Sequence, residues 1–477
     1  MRLNPELRRY LWLELSLGRL LFMPLVIGLL AALIGVTIYD NELAFGGPDF
    51  LGTIVWAGLA IYIVLLLFWG ARVAASALVR EIAERTWDQQ RLSSMDAWSM
   101  TWGKLFGSTV YVWYALGIVL AIVLGATALL EIYFGDVSEE VGGSLSSILA
   151  RMAIGLVALT VLVEATVMLA AMTAVSQRET ARQLDVSIAQ IIVILSALFA
   201  YIGLQDLEQA NTMPWYGETW NSLSFVVGST VIFALWAVVG LWRRMREELQ
   251  IRNWPLMWPL FVLWSGFWLA GLMWPEDGHD GMTVTIVVMT VTVLVSTYVP
   301  AALERMDPVR LRRLFAARDL SSVLRDAPIW VVGHILALVG VVISVVMLLG
   351  IEMSDDSALA ALAEEIDLPS LAAMSLVSAY FFVTRDLLLL IFTWLGKRPR
   401  RAFATWLIWM ALLYSLIPTL VSLSGGYQLL PAFVPIWDVP FVDLAVPPAL
   451  WPLGEVVLVG LLLRWRWRRF RASAVSG

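Results

Sequence analysis

Long apolar runs separated by short polar connections dominate the chain. Stretches able to cross roughly 30 Å of hydrocarbon as α-helices lie near residues 20–39, 51–71, 108–130, 148–175, 186–204, 222–242, 256–274, 282–303, 329–351, 366–384, 402–423 and 448–463. The pattern predicts an all-α fold, a polytopic transmembrane helix bundle of about twelve spans. The connections alternate in charge. Segments 40–50, 131–147, 205–221, 275–281, 352–370 and 424–447 hold 21 acidic residues and no Lys or Arg. The other connections, with the two chain ends and the adjoining helix ends, hold 31 of the 32 basic residues, Arg151 being the exception. Because basic residues stay on the cytoplasmic side of a membrane, both termini are expected in the cytoplasm and the acidic loops outside.

Composition agrees with lipid as the solvent: 60% of the 477 residues are hydrophobic, 15% are charged, and the mean hydropathy is +0.80. The net charge of −6 carries no message about nucleic acid, since the basic residues form a skirt facing anionic lipid and cytosolic partners. Trp12, Trp242, Trp254, Trp274 and Trp465 stand at expected span ends, where indole rings favour the headgroup boundary. The run after Arg8, Arg9 and Arg19 is too long for a signal peptide and no small-residue cleavage pattern follows it, so a retained first helix is expected. Asn4 as N-cap, Pro5 at the first helical position, and Leu3, Leu7, Tyr10 and Leu11 at helical spacing place the preceding arm along the inner interface.

The connections are too short to bury an independent soluble core, so any chemistry sits in the bundle or at its rims. A second basic segment, RRMREELQIRNW from Arg243, precedes the seventh expected span. This suggests two six-helix halves, 1–242 with the interfacial helix and 243–477. An accidental even number of spans is the alternative, since the halves share little direct similarity. The fifth spans of both halves lead into segments rich in Pro and Trp, NTMPWYGETW and LLPAFVPIWDVPFVDLAVPP, the second apolar enough to dip back into the membrane.

Candidate chemistry is sparse. With no cysteine and only two histidines, His279 and His334, thiol chemistry is excluded and no metal or other cofactor is expected. Gly103-Lys104 and Gly396-Lys397 lack the upstream glycine and the following hydroxyl of a phosphate-binding loop, and no nucleophile elbow appears. The chain is therefore not expected to be an enzyme. Glu164 and Glu455 lie within spans, where an ionised group is costly. Either lines a pathway or is a protonated carboxyl bonded to a neighbouring helix.

The inner segment REIAERTWDQQRLSSMDAWSMTWGKLFG, Arg80 to Gly107, carries both charge signs at helical spacing, Glu84 to Asp88 and Asp88 to Arg91 among them. Ser93 and Ser94 can break the helix and Asp96 can cap the next one, which reads as a short cytoplasmic helix, a turn, and a span that begins in water. An ordinary solvated loop is the alternative. Glu84, Thr86, Leu92 and Lys104 resemble the loop between the second and third spans of ABC-2-type ABC transporter permeases, with Arg85 where that family has Gly and Ala97 near its Pro.

The resemblance implies the permease subunit of an ABC exporter in a bacterial plasma (inner) membrane. A soluble ABC ATPase subunit and the lipid bilayer would be its partners, and nucleic acid would not. Glu84, Trp87, Asp88 and Arg91 would then contact the ATPase. A second coupling element would hold either Arg310 and Arg313, in the segment from Glu304 to Pro328, or Arg385 and Asp386, which repeat the pair Arg80-Glu81 at the start of an expected interfacial helix. An ion-coupled secondary transporter with twelve spans is the competing reading.

Overall fold

In the computed structural model, residues 4–39, 48–83, 96–135, 142–176, 190–191, 194, 212–251, 253, 256–275, 280–304, 328–350, 368–396, 402–425, 429–430, 433 and 450–473 are described. Apart from one small hairpin they are helical. Eight helices are long and apolar enough to cross a membrane: Pro48–Glu81, Val110–Phe134, Leu145–Ala174, Ser222–Glu248, Gly281–Leu303, Ile329–Leu349, Ser370–Trp394 and Ala402–Leu423. The pair Pro5–Glu14 and Leu17–Leu33, bent by 69°, makes a ninth. The twelve expected spans thus become eight to nine among the described residues. Met257–Leu272 is apolar but short at 16 residues, about 24 Å of helix. Leu450–Ser473 carries Glu455 and ends in a run of arginines, and the run near 186–204 lies almost wholly outside the described residues.

The chain groups into two compact units, Met1–Pro214 with Thr219–Asn253, and Trp215–Glu218 with Trp254–Gly477; the expected division falls at 242/243. In the first unit α1 (Pro5–Glu14) starts where Asn4 Oδ1 accepts the Glu6 N–H at 3.0 Å and Pro5 supplies the first turn. After the bend come α2 (Leu17–Tyr39), α3 (Pro48–Val64), a π-helical turn (Leu65–Gly70) and α4 (Ala71–Ala83). The side-chain amide of Gln190 donates to Leu67 O and Phe68 O inside the π turn, giving partners to carbonyls that an irregular turn frees from the regular ladder. Next are α5 (Ala97–Gly107), α6 (Val110–Phe134), α7 (Leu145–Ser176) and α8 (Ser222–Glu248). Alanines 71, 75, 115 and 171 and valines 112, 119, 123 and 167 fill the core. Small residues let helices approach closely: a Cβ on Gly58 would lie 2.5 Å from Val123, and one on Gly155 2.9 Å from Val227.

The hairpin strands are β1 (Thr212–Trp215) and β2 (Glu218–Asn221). Tyr216 (φ 53°) and Gly217 (φ 77°) form its two-residue tip, the left-handed pair that such hairpins require. Within the second unit the tip packs on α9 (Met257–Leu272), Trp215 Nε1 donating to Trp268 O at 3.1 Å and the Tyr216 hydroxyl to Phe267 O at 2.8 Å. The unit continues with α10 (Gly281–Ser296), α11 (Tyr298–Leu303), α12 (Ile329–Leu349) and α13 (Leu368–Trp394). It closes with α14 (Ala402–Ala411), a π turn (Leu412–Leu416), α15 (Ile417–Leu423) and α16 (Leu450–Ser473). One continuous helix runs through Arg385 to Trp394, which corrects the expectation of a separate interfacial helix there: the apolar run after Arg385 packs as the last turns of α13.

Candidate functional site

Among the described residues, three clusters in the helical interior are built around buried carboxyl groups. The first lies at the foot of the Arg80–Gly107 segment. Glu81, near the end of α4, accepts hydrogen bonds on Oε1 from the Tyr10 hydroxyl at 2.8 Å and Arg9 Nη2 at 3.2 Å, and on Oε2 from Lys104 Nζ. Lys104 on α5 is 1% exposed and lies 3.7 Å from Glu6 Oε1, and Glu6 in turn pairs with Arg9 Nε at 3.1 Å. Two carboxylates thus meet two cations, which is how charge is tolerated away from water. The arm helix reaches this position because Gly103 and Gly107, one turn apart on α5, leave room: added Cβ atoms would lie 2.5 Å from Glu6 Cβ and 2.7 Å from Tyr10 Cδ2.

Asp96 caps α5 as its sequence position predicts, Oδ2 accepting the Ser99 N–H at 3.2 Å, and these bonds hold its carboxyl below the usual carboxylate range. Trp98, Trp102 and Phe106 form a ladder along α5 at four-residue spacing, Trp102 and Phe106 stacked with centroids 4.9 Å apart. Phe106 continues the ladder to Trp113 on α6, at 5.3 Å.

The second group is centred on Glu164. Thr109 Oγ1 and Trp113 Nε1 each lie 3.0 Å from its Oε2, and the side chain has no exposed surface. Oε1 has no hydrogen-bond partner among the described residues. One turn earlier on α7, the Thr160 hydroxyl meets the Tyr62 hydroxyl at 2.7 Å.

The third group belongs to the second unit. Asp386 is fully buried. Its Oδ2 accepts the hydroxyls of Tyr298 and Tyr414, both at 2.6 Å, and its Oδ1 accepts Arg385 Nε at 2.9 Å. Arg385 reaches with Nη1 to Glu455 Oε2 at 2.5 Å, and its guanidinium lies over the rings of Phe382 and Tyr414 at 4.9 and 5.0 Å. Nη2 sits 2.9 Å from Asp386 Oδ1 but off-line for a hydrogen bond, so that contact is Coulombic only. Tyr414 lies in the π turn, which widens the helix where it faces Asp386. His334 stacks on Tyr380 with centroids 4.6 Å apart. Its Nε2 lies 3.0 Å from Thr384 Oγ1, whose own hydrogen goes to Tyr380 O, so Nε2 is the donor.

Of the residues proposed from sequence, Glu84, Trp87, Asp88 and Arg91, and likewise Arg310 and Arg313, lie outside the described residues. Arg385 and Asp386 face each other and Glu455 inside the second unit, 1% and 0% exposed, and offer no free surface to a cytosolic partner. Sequence reading missed Glu6, Arg9, Tyr10, Tyr298 and Tyr414. The one signal it overlooked is the spacing Gly103-x-x-x-Gly107, a seat for a second helix.

No family model, curated protein or solved structure matches the chain. Fold and interior together define a polytopic α-helical membrane protein with eight to nine candidate spans among the described residues. Its apolar helices associate with a lipid bilayer.

Proposed function

We propose that the chain is the membrane-spanning permease subunit of an ABC exporter of the ABC-2 type. In this reading separate cytosolic ATP-binding subunits power it, it sits in a bacterial inner membrane with both termini cytoplasmic, and it is not itself an enzyme. The observation that carries the reading is the buried network of Glu6, Arg9, Tyr10, Glu81 and Lys104. Segment 84–95 holds Glu84, Thr86 and Leu92, three of the four residues that resemble the ATPase-contacting loop, and Glu81 and the fourth, Lys104, stand on the helices before and after it. A push on that segment moves the spans only if both its ends are tied to rigid helices, and a buried ion network with an interfacial helix laid across it supplies such a tie.

The test is biochemical. The purified protein alone should show no ATPase activity and should co-purify with a soluble ATPase. Combining Glu84→Lys, Asp88→Lys and Arg91→Glu should release that ATPase or uncouple its hydrolysis from transport, because reversing several charges together defeats a complementary surface where loss of one rim pair does not. A correctly inserted triple variant that couples at the wild-type rate would sink the proposal.

A second reading, an ion-coupled secondary transporter, draws support from Glu164, a buried carboxyl that forms no ion pair among the described residues. Uphill transport by ATP-depleted vesicles under an imposed proton gradient would decide for it.

A further inference from the structure

With the Glu164 carboxyl ionised, the single hydroxyl hydrogen of Thr109 cannot serve both Oε2 and Leu105 O. Thr109 Oγ1 has one hydrogen and two acceptors in reach, Leu105 O at 2.6 Å and Glu164 Oε2 at 3.0 Å. With that hydrogen on the shorter bond, Oγ1 turns a lone pair towards Glu164, and the 3.0 Å contact is a hydrogen bond only when the carboxyl supplies the proton. Trp113 Nε1, which only donates, fills a remaining lone pair of Oε2 at 3.0 Å.

An ionised carboxylate in this place would therefore have one unambiguous donor and no counter-charge among the described residues, an arrangement that buried charges avoid. The surrounding titratable groups do not change this. Among the described residues, Lys104 on α5 pairs with Glu81 on α4, and Arg244 on α8 pairs with Glu247 and Glu248, while the hydrogen bonds to Glu164 come from Thr109 and Trp113. The Tyr62 hydroxyl on α3 is engaged with Thr160 and Leu156.

We propose that Glu164 is a proton-binding site, holding its proton on Oε2 and donating it to Thr109 Oγ1, and that this keeps the Thr109 hydrogen on Leu105 O, the bond that holds the joint between α5 and α6. Thr109 is the joint residue: its φ of −111° and ψ of 9° break the helix between Gly107 and Val110. Trp113, the other partner, stands one turn further along α6, and α5 on the other side of the joint carries Lys104 of the inner network. Removing the proton sets two lone-pair-bearing oxygens against each other until Thr109 withdraws its hydrogen from Leu105 O. Proton release and loss of the Thr109–Leu105 side-chain bond at the joint are thus one event. This holds whether ATP or an ion gradient powers transport, and its test uses neither.

Infrared spectroscopy of the protein in lipid at neutral pH should show the carbonyl stretch of a protonated carboxylic acid, lowered by deuterium exchange and lost in Glu164→Gln. Thr109→Val removes the acceptor but keeps the shape, and should shift the same band to higher frequency. The cysteine-free chain allows a thiol at Ser108, which is 7% exposed. After correction for the thiolate fraction, labelling of Ser108→Cys should rise with pH when Glu164 is present and stay flat with Glu164→Gln. An unchanged band in Glu164→Gln overturns the proton site, and should that variant fail to fold, an unshifted band in Thr109→Val overturns the assigned bond. Identical labelling profiles in the two backgrounds overturn the lock.

Discussion

Replacing Lys104 with methionine removes the cation at the centre of the inner network while filling nearly the same volume. Lys104 is 1% exposed, Glu81 8% and Glu6 4%, so both carboxylates remain in the interior, with Arg9 as their remaining cation among the described residues. Breaking a buried pair from one side costs about 3–5 kcal/mol, far more than the loss of a surface pair, because the partner keeps its desolvation penalty and loses its compensation. For a unit of this size that corresponds to a fall in melting temperature on the order of 10 °C.

Glu81→Gln in the same background should restore part of the loss. A glutamine oxygen still accepts the Tyr10 hydroxyl, now at 2.8 Å from Glu81 Oε1, and one uncompensated charge is gone. Tryptophan fluorescence during heating in detergent, for wild type, the two single variants and the double variant, closes the cycle, with an expected interaction of roughly 1–3 kcal/mol. Strict additivity, or a Lys104→Met variant as stable as wild type, would refute the claim that the two ends of segment 84–95 are tied through this lysine.

Asp96→Ala should cost about 1 kcal/mol through loss of the α5 cap. Because the folded-state carboxyl lies below its ordinary range, the cap contributes fully above that range and fades as pH falls through the folded value; an alanine variant whose stability keeps the wild-type slope in acid would contradict this. Arg385→Met, which leaves Asp386 and Glu455 without their shared cation, should lower folded yield far more than Glu455→Gln, which leaves the Arg385–Asp386 pair intact; size-exclusion profiles of the two variants measure the difference. Single cysteines at Ser138, Asn211, Ser354 and Ser424 should label from outside intact cells with an impermeant maleimide, and those at Ser93, Gln250 and Ser321 should not; outside labelling at Ser93 would reverse the orientation.

Hydropathy and charge alternation are local properties, written in runs of consecutive residues, so the apolar helices were legible from the chain alone. So were the starts of α1 at Asn4-Pro5 and of α5 at Asp96, since a cap needs only its own next three residues. What the chain did not reveal is which charges meet. Tyr10 reaches Glu81 across 71 residues, Arg385 reaches Glu455 across 70, and Thr109 reaches Glu164 across 55.

Such pairs depend on which helix faces which, and that is set by small residues letting backbones approach, as at Gly103 and Gly107, rather than by the charged residues themselves. The same reason explains the misreading of Arg385-Asp386: an Arg-acid pair before an apolar run looks like the rim of a membrane. Only the packing of Tyr298, Tyr414 and Glu455 around it turned the pair into interior. Sequence determined that the chain enters lipid; tertiary structure decided where, inside that lipid-solvated bundle, charge and hydrogen bonds are kept.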